Sequence, residues 1–134
     1  MSSALDAGSR CPCSSGDVFG DCCRPLLAGA PAPTAERLMR SRYTAFVVDD
    51  ADYLLDTWHP TKRPPELSLD DDLSWRRLDV LATEGGGPFD TTGVVEFEAF
   101  YRGPDGRGSL HERSRFVKQG REWLYVDGTA LASS

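Results

Sequence analysis

All four cysteines of this 134-residue chain fall within thirteen residues, Cys11-Pro12-Cys13-Ser14-Ser15-Gly16-Asp17-Val18-Phe19-Gly20-Asp21-Cys22-Cys23. Four thiols on so short an arc are the donor set of a closed tetrahedral zinc site, because soft thiolates suit Zn²⁺ and four of them leave no position for water. A metal held this way organises a fold and does not activate a nucleophile. Pro12 stiffens the first pair, and Ser15-Gly16 and Gly20 let the second pair turn back onto it. Two other chemistries use the same sulfurs. Paired disulfides are opposed by the vicinal Cys22 and Cys23, which rarely bridge, and by the lack of a secretory signal pattern. A redox or nucleophilic thiol is opposed by the absence of any cysteine set apart from the rest.

A second chemical constellation lies near the carboxyl end, where Glu112 and Asp127 fall opposite one another if the last two strands close through a tight turn. Side by side and partly desolvated, two carboxylates do not both ionise without cost, which suits such a pair to general acid–base work. Ser114, Tyr125, Trp123 and Tyr101 gather around it in the same register, and the helices can add Tyr53, Trp58 and His59, making an aromatic-walled hollow with a polar floor. Tyr125 and His59 are the candidate proton donors. The structural alternative is that Asp127-Gly128 turns outward and that Glu112 pairs with Arg42. His59, next to Pro60, reads equally as a packed helix end.

The elements that must position these groups are legible from periodicity. Residues 1–10 are small and polar and read as a flexible lead-in, residues 11–24 as the metal module, and the Pro/Ala-rich residues 25–33 as a stiff extended linker. Thr34 offers an N-cap with Glu36 in the first turn, and Ala35, Leu38, Met39, Tyr43, Phe46 and Val47 recur as one buried helical face. Arg37 and Arg40 fall off that stripe. Arg42 lies within it and either reaches inward or snorkels outward. Asp49 or Asp50 caps a second short helix with Tyr53, Leu54 and Trp58, ended by His59-Pro60. Asp70-Asp71-Asp72 reads as a solvated loop or helix start in preference to a cation site.

From Leu73 the period becomes two, and Leu73 to Glu84, Thr92 to Arg102, Ser109 to Lys118 and Glu122 to Asp127 read as four strands. The fold class is α+β, helices first and then an antiparallel meander, with 34–128 as one domain and 129–134 as a tail. A primed turn at Asp105-Gly106 sets Pro104 opposite Arg107, Glu98 opposite Arg113 and Glu96 opposite Arg115, with Val95, Phe97, Ala99 and Tyr101 facing the core. The same rule at Gln119-Gly120 sets Phe116 opposite Trp123, Ser114 opposite Tyr125 and Glu112 opposite Asp127.

Composition bounds the functions that remain. With 40% apolar and 27% charged residues, the chain reads as globular, and no apolar run approaches the ~20 residues of a membrane span. The expected location is cytoplasmic. The net charge is −6, and one zinc with four thiolates takes it to about −8, so nucleic acid is not an expected partner. The small basic spots around Arg37, Arg40 and Arg42, at Lys62-Arg63 and at Arg76-Arg77 leave a local RNA or ribosome contact open.

The spacing Cys-Pro-Cys-x-Ser-Gly-x-x-x-x-x-Cys-Cys resembles the SEC-C motif, a zinc module found at the carboxyl end of the SecA translocation motor. The resemblance implies Cys11, Cys13, Cys22 and Cys23 as ligands. Met39-Arg40-Ser41-Arg42-Tyr43, Asp52-Tyr53-Leu54-Leu55, Thr57-Trp58-His59-Pro60, His111-Glu112-Arg113-Ser114-Arg115-Phe116 and Trp123-Leu124-Tyr125-Val126-Asp127-Gly128 resemble the YchJ family, from about Cys11 to Gly128. That family implies a SEC-C module followed by a nuclear-transport-factor-2-like cone of helices on a curved sheet, a fold that commonly holds its ligand inside the cone. Because the SecA module engages a chaperone and the ribosome, the resemblance also implies a protein partner. The expectation is a zinc-binding adaptor whose cone can hold a small molecule. The alternative is an isomerase, dehydratase or hydrolase using Glu112 and Asp127.

Overall fold

The computed structural model describes residues 6–69 and 72–131. A 3-10 turn at Phe19–Asp21 leads into α1 (Cys23–Leu27), followed by α2 (Ala35–Val47) and α3 (Ala51–Asp56). The strands β1 (Ser74–Gly85), β2 (Thr92–Gly103), β3 (Gly106–Gln119) and β4 (Glu122–Ala130) form one antiparallel sheet in the order β1-β2-β3-β4. This is the expected α+β arrangement, a small helical layer on an antiparallel meander. Bulges at Arg76 and Leu81 in β1, and a further irregularity between β3 and β4 beside Phe116, bend the sheet around the helices.

Both helix starts form as their cap residues require. Thr34 Oγ1 accepts from the Arg37 amide at 3.1 Å, and an Asp50 carboxylate oxygen accepts from the Tyr53 amide at 3.1 Å. α3 ends at Asp56, short of Pro60, and the chain beyond it bonds to β4: the Tyr125 amide donates to Thr57 O at 2.8 Å and the His59 amide to Tyr125 O at 2.7 Å. That pairing fixes Trp58 against the inner face of the sheet.

α2 is buried on more than the one expected face. Leu38, Met39 and Tyr43 pack on the sheet side, while Ser41, Thr44 and Ala45 are also buried. The second covered side faces the cysteine loop, whose four cysteines join Leu38, Met39, Tyr43, Leu78, Val95, Phe97, Phe116 and Trp123 in one continuous core. The amino-terminal module is thus part of the main packing unit. The expected lead-in is held from Ala7 onward, since the Gly20 amide donates to Ala7 O at 2.9 Å and the Phe19 amide to Ser9 O at 2.7 Å. The expected linker opens as helix, with α1 running across the anticipated boundary at residue 24, and Leu26 and Ala32 are buried in it.

The strand pairs differ from expectation, for identifiable reasons. Between β2 and β3 the turn is centred on Pro104-Asp105, so Gly103 pairs with Gly106, Glu98 with His111 and Glu96 with Arg113. Proline's fixed φ suits the first central position of an ordinary turn, and Gly106 then takes φ +107°. A primed Asp105-Gly106 turn needs a left-handed aspartate, and only Ser14 and Asp49 among the described non-glycine residues have positive φ. The shift is two residues, so every side chain keeps its face. At the next hairpin the loop is Gly120-Arg121, with Gly120 at φ +64° in the first central position. Phe116 accordingly pairs with Tyr125 instead of Trp123.

Candidate functional site

Two sites flank α2. On one side the four cysteine sulfurs lie within 4.8 Å of one another. Cys11 is 5% exposed and the other three are 0% exposed. The loop is closed by its own backbone: the Cys11 amide donates to Asp17 O at 2.9 Å, and the Cys22 amide to Phe19 O at 3.1 Å. A tetrahedron of ~2.3 Å metal–sulfur bonds has edges of ~3.8 Å, and Cys13–Cys22 and Cys22–Cys23 stand at 3.5 and 4.0 Å. All four thiols are free, so the disulfide alternative is not realised. Their burial also removes the access a nucleophilic thiol needs. The donor set fits a metal ion, which would be held by all four sulfurs with no open position.

The sulfurs also polarise one another. S–H donation from Cys13 and then Cys23 pulls the Cys11 thiol far below its ordinary value. Cys13, hydrogen-bonded to Cys11, is pushed up to about 11. Cys23 is pushed up as well, by hydrogen bonds with Cys11 and Cys13 and by burial. Thiolates crowded this closely oppose one another's ionisation, the condition a bound dication relieves. Side chains of α2 and the loop assist. Arg37 Nη1 donates to Cys22 Sγ at 3.2 Å and its Nη2 to Cys22 O at 2.9 Å, while Ser15 Oγ lies 3.1 Å from Cys22 Sγ. Arg40 Nη1 donates to Cys13 O at 2.8 Å, and Thr44 Oγ1 to Cys23 Sγ at 3.4 Å. Sequence reasoning left these supporting residues out. Their signal was present, because positions 37, 40 and 44 share a helix face through i, i+3 and i+7 spacing.

On the other side of α2 the curved sheet encloses a cavity of about 220 Å³. Met39, Tyr43, Phe46, Trp58, Trp75, Phe97 and Leu110 supply most of the wall, and Arg42, Glu112, Ser114 and Tyr125 its polar part. Trp75 stands edge-on to Tyr43 at 6.2 Å between centroids, as Trp58 does to Tyr125 at 5.2 Å. Glu112 Oε1 accepts from Ser114 Oγ at 3.1 Å and from the Tyr125 hydroxyl at 3.2 Å. Burial, then the Glu112 charge, raises the Tyr125 phenol above its ordinary value, which leaves it a hydrogen-bond donor at neutral pH. Arg42 is turned fully inward, 5% exposed, donating from Nη1 to Leu54 O and Thr57 Oγ1 at 2.7 Å each.

Of the residues singled out from sequence, Glu112, Tyr125, Ser114 and Trp58 meet in this cavity. Asp127 does not. The ladder skips Val126, so Arg115 pairs with Asp127 and Ser114 with Gly128. One extra residue turns Asp127 to the outer face, where Arg115 holds its carboxylate through Nε and Nη2 at 2.6 Å each. The expected Glu112/Asp127 acid–base pair is therefore absent, and with it the catalytic reading built on that pair. His59 also lies outside the cavity, with Nδ1 at 2.8 Å from Thr61 Oγ1 and Nε2 at 2.9 Å from Gln119 Nε2. Tyr53 bonds to Ser41 Oγ at 2.7 Å and, with Trp123, borders a separate hollow beside residues 26–32. Tyr101 packs on Trp75 and over Gly108. Phe97 and Leu110 follow the inward parity of β2 and β3, whereas Trp75 was not assigned from sequence, because the bulge at Arg76 breaks the alternation of β1.

A curved antiparallel sheet covered by short helices, with a cysteine quartet docked on the helical layer, defines an α+β protein with a metal-binding type of amino-terminal motif. Residues 34–128 match the family model for the middle, NTF2-like domain of YchJ. A UPF0225 protein of Corynebacterium efficiens is 54% identical over 124 residues, spanning 92% of this chain and 95% of that protein. One from Streptomyces coelicolor is 52% identical over 122 residues, spanning 90% and 95%. The chain belongs to the YchJ (UPF0225) family. Among solved structures, a SEC-C motif containing protein from Rhodopseudomonas palustris superposes with a TM-score of 0.79 at 36% identity, covering 91% of this chain and 98% of that one. Another from Psychrobacter arcticus gives 0.74 at 30% identity, covering 96% and 86%. No helix among the described residues is long and apolar enough to cross a membrane.

Proposed function

We propose that this protein is a small-molecule binding protein in which a structural zinc ion, held by Cys11, Cys13, Cys22 and Cys23, fixes α2 as the roof of a ligand cavity. The observation that carries the reading is the cavity itself: aromatic and aliphatic walls around the convergent polar groups Arg42, Glu112, Ser114 and Tyr125, the usual make-up of a ligand site. Zinc is favoured over other metals by an all-sulfur set with tetrahedral spacing. The cytoplasm suits it, since thiols stay reduced there. Reaction chemistry forms no part of the proposal, because the carboxylate pair it required is not formed. A protein partner at the amino-terminal module is a second reading, favoured by the exposed loop tip Gly16-Asp17-Val18, whose Val18 is 37% exposed while the sulfurs face inward.

The test combines elemental analysis with ligand-observed NMR screening of the intact protein. About one zinc per chain is expected, together with binders whose signals broaden in the wild type and not in Leu110→Trp, which fills the cavity from a partly exposed position. A folded, zinc-loaded protein that binds nothing in the cavity, or binders indifferent to Leu110→Trp, overturns the reading.

A further inference from the structure

We infer that the cavity recognises a small monocyclic acid, its anionic group on Arg42 and a hydrogen-bond donor at its far end on Glu112. This rests on the cavity being a ligand site, as proposed above.

The inference starts from polar groups that the protein leaves incompletely matched. Arg42 is a buried guanidinium, and among the described residues no carboxylate lies within ion-pair distance of it. Both of its hydrogen bonds to described residues leave from Nη1, and no described residue accepts from Nε or Nη2 of this cavity-lining side chain. The guanidinium is flanked by the Tyr125 ring at 4.5 Å and the Trp58 ring at 5.4 Å, which hold it in place and do not neutralise it. Burial lowers its pKa to about 10, so it is still charged at neutral pH. The Glu112 charge acts on it from beyond ion-pair distance, and a buried charge with no direct counter-ion is costly, a cost that an anion arriving beside it relieves. The Trp58 indole N–H, on the same wall, is buried and also lacks an acceptor.

Glu112 offers the complementary end. Ser114 and Tyr125 both donate to Oε1, and Oε2 receives no hydrogen bond among the described residues, which leaves an acceptor for a ligand hydroxyl or N–H. Gly128 makes room for that carboxylate, because a Cβ there would overlap Glu112 Oε1.

Two unmatched donors and one unmatched acceptor, of opposite charge and not in contact with each other, describe a ligand that is anionic at one end and donates at the other. A purely apolar ligand would displace water from all three polar groups and leave them unmatched. A cation would satisfy Glu112 and oppose Arg42. Size sets the rest: a cavity of ~150 Å³ accepts a benzene ring, so 220 Å³ takes one ring with two small substituents. Tyr43, Phe46, Trp75 and Phe97 give that ring apolar and aromatic surfaces to lie against.

The test is an NMR titration of the full zinc-loaded chain with 4-hydroxybenzoate, neutral 4-hydroxybenzamide and benzoate, followed through the Trp58 and Trp75 indole signals. 4-Hydroxybenzoate is expected to bind at least ten-fold tighter than the amide. That ratio should shrink in Arg42→Lys and vanish in Arg42→Met. Glu112→Gln, which keeps the shape of the site, should instead erase the advantage of 4-hydroxybenzoate over benzoate. Because Arg42 also ties α3 to α2, the Glu112→Gln series stands by itself if Arg42→Met fails to fold. Amide binding as tight as the acid, with shifts at both indoles, overturns the ligand class and leaves the binding-protein reading intact. An acid preference unchanged in Arg42→Lys, or a preference for 4-hydroxybenzoate over benzoate unchanged in Glu112→Gln, also overturns it. Indole signals that no probe shifts, in protein that still binds other compounds in the cavity, overturn the inference alone; no binder of any kind overturns both.

Discussion

Stripping the proposed zinc, by chelation or through Cys22→Ser, is expected to loosen the whole molecule and not the amino-terminal loop alone. The loop is tied to α2 through Arg37 on Cys22 at 3.2 and 2.9 Å, Arg40 on Cys13 O at 2.8 Å and Thr44 on Cys23 at 3.4 Å. Its sulfurs belong to the same apolar cluster as Leu38, Phe97 and Phe116. Structural zinc contributes an apparent ~10–16 kcal/mol in small peptides near neutral pH, against ~5–15 kcal/mol for the total stability of a domain. Loss of the ion is therefore large enough to unfold α2 outright. The roof of the cavity would go with it, since Met39, Arg42, Tyr43 and Phe46 all come from that helix. Amide hydrogen exchange at pH 7, with and without chelator and with metal content measured alongside, reads this directly. Protection should fall across residues 38–47 and in the central strand around 95–99, in step with residues 7–24. If only residues 7–24 exchange faster while α2 and the strands keep their protection, the sheet and helices have a self-sufficient core and the reasoning fails.

Gly128→Ala should cost about 1–2 kcal/mol, the worth of two hydrogen bonds, because the new Cβ displaces the Glu112 carboxylate from Ser114 and Tyr125. Thermal unfolding should show that cost shrinking in a Glu112→Ala background, and an equal loss in both backgrounds would refute the coupling. Asp127→Asn probes the outer face. Hydrogen bonding to Arg115 holds the Asp127 carboxyl below its ordinary value near 3.8, so its contribution exists at neutral pH and is lost as pH falls through the folded-state value. The variant should be slightly less stable than wild type at pH 7 and converge with it in acid, whereas a gap that widens on acidification contradicts the pairing. Thr34→Ala removes the cap of α2 and should cost about 1 kcal/mol in chemical denaturation, with Thr34→Ser retaining most of it.

What could be read without coordinates follows from local physics. Thr34 and Asp50 cap their helices because a short polar side chain before an apolar stripe has few other uses. The inward set Val95, Phe97 and Ala99 was also legible, since alternation survives a register error of two residues even though the partners Glu96 and Glu98 were misassigned. The pairing depended on where Pro104 sits in its turn, and the Asp-Gly dipeptide was the more familiar signal. Asp127 was misplaced for a different reason. A bulge of a single residue reverses every face beyond it, and no local signal at Val126 announces one.

The cysteine spacing, the helix caps and the strand alternation by themselves determined that four sulfurs converge near the amino end and that helices pack on an antiparallel sheet, because each of these depends on neighbours close along the chain. The tertiary structure alone decided that the cysteine loop shares a core with α2, that Arg42 lines a cavity with no ion-pair partner among the described residues, and that Glu112 faces that cavity while Asp127 does not. Those outcomes depend on which segments, distant in sequence, pack against each other, and a bulge or a doubly covered helix changes them without altering any local pattern.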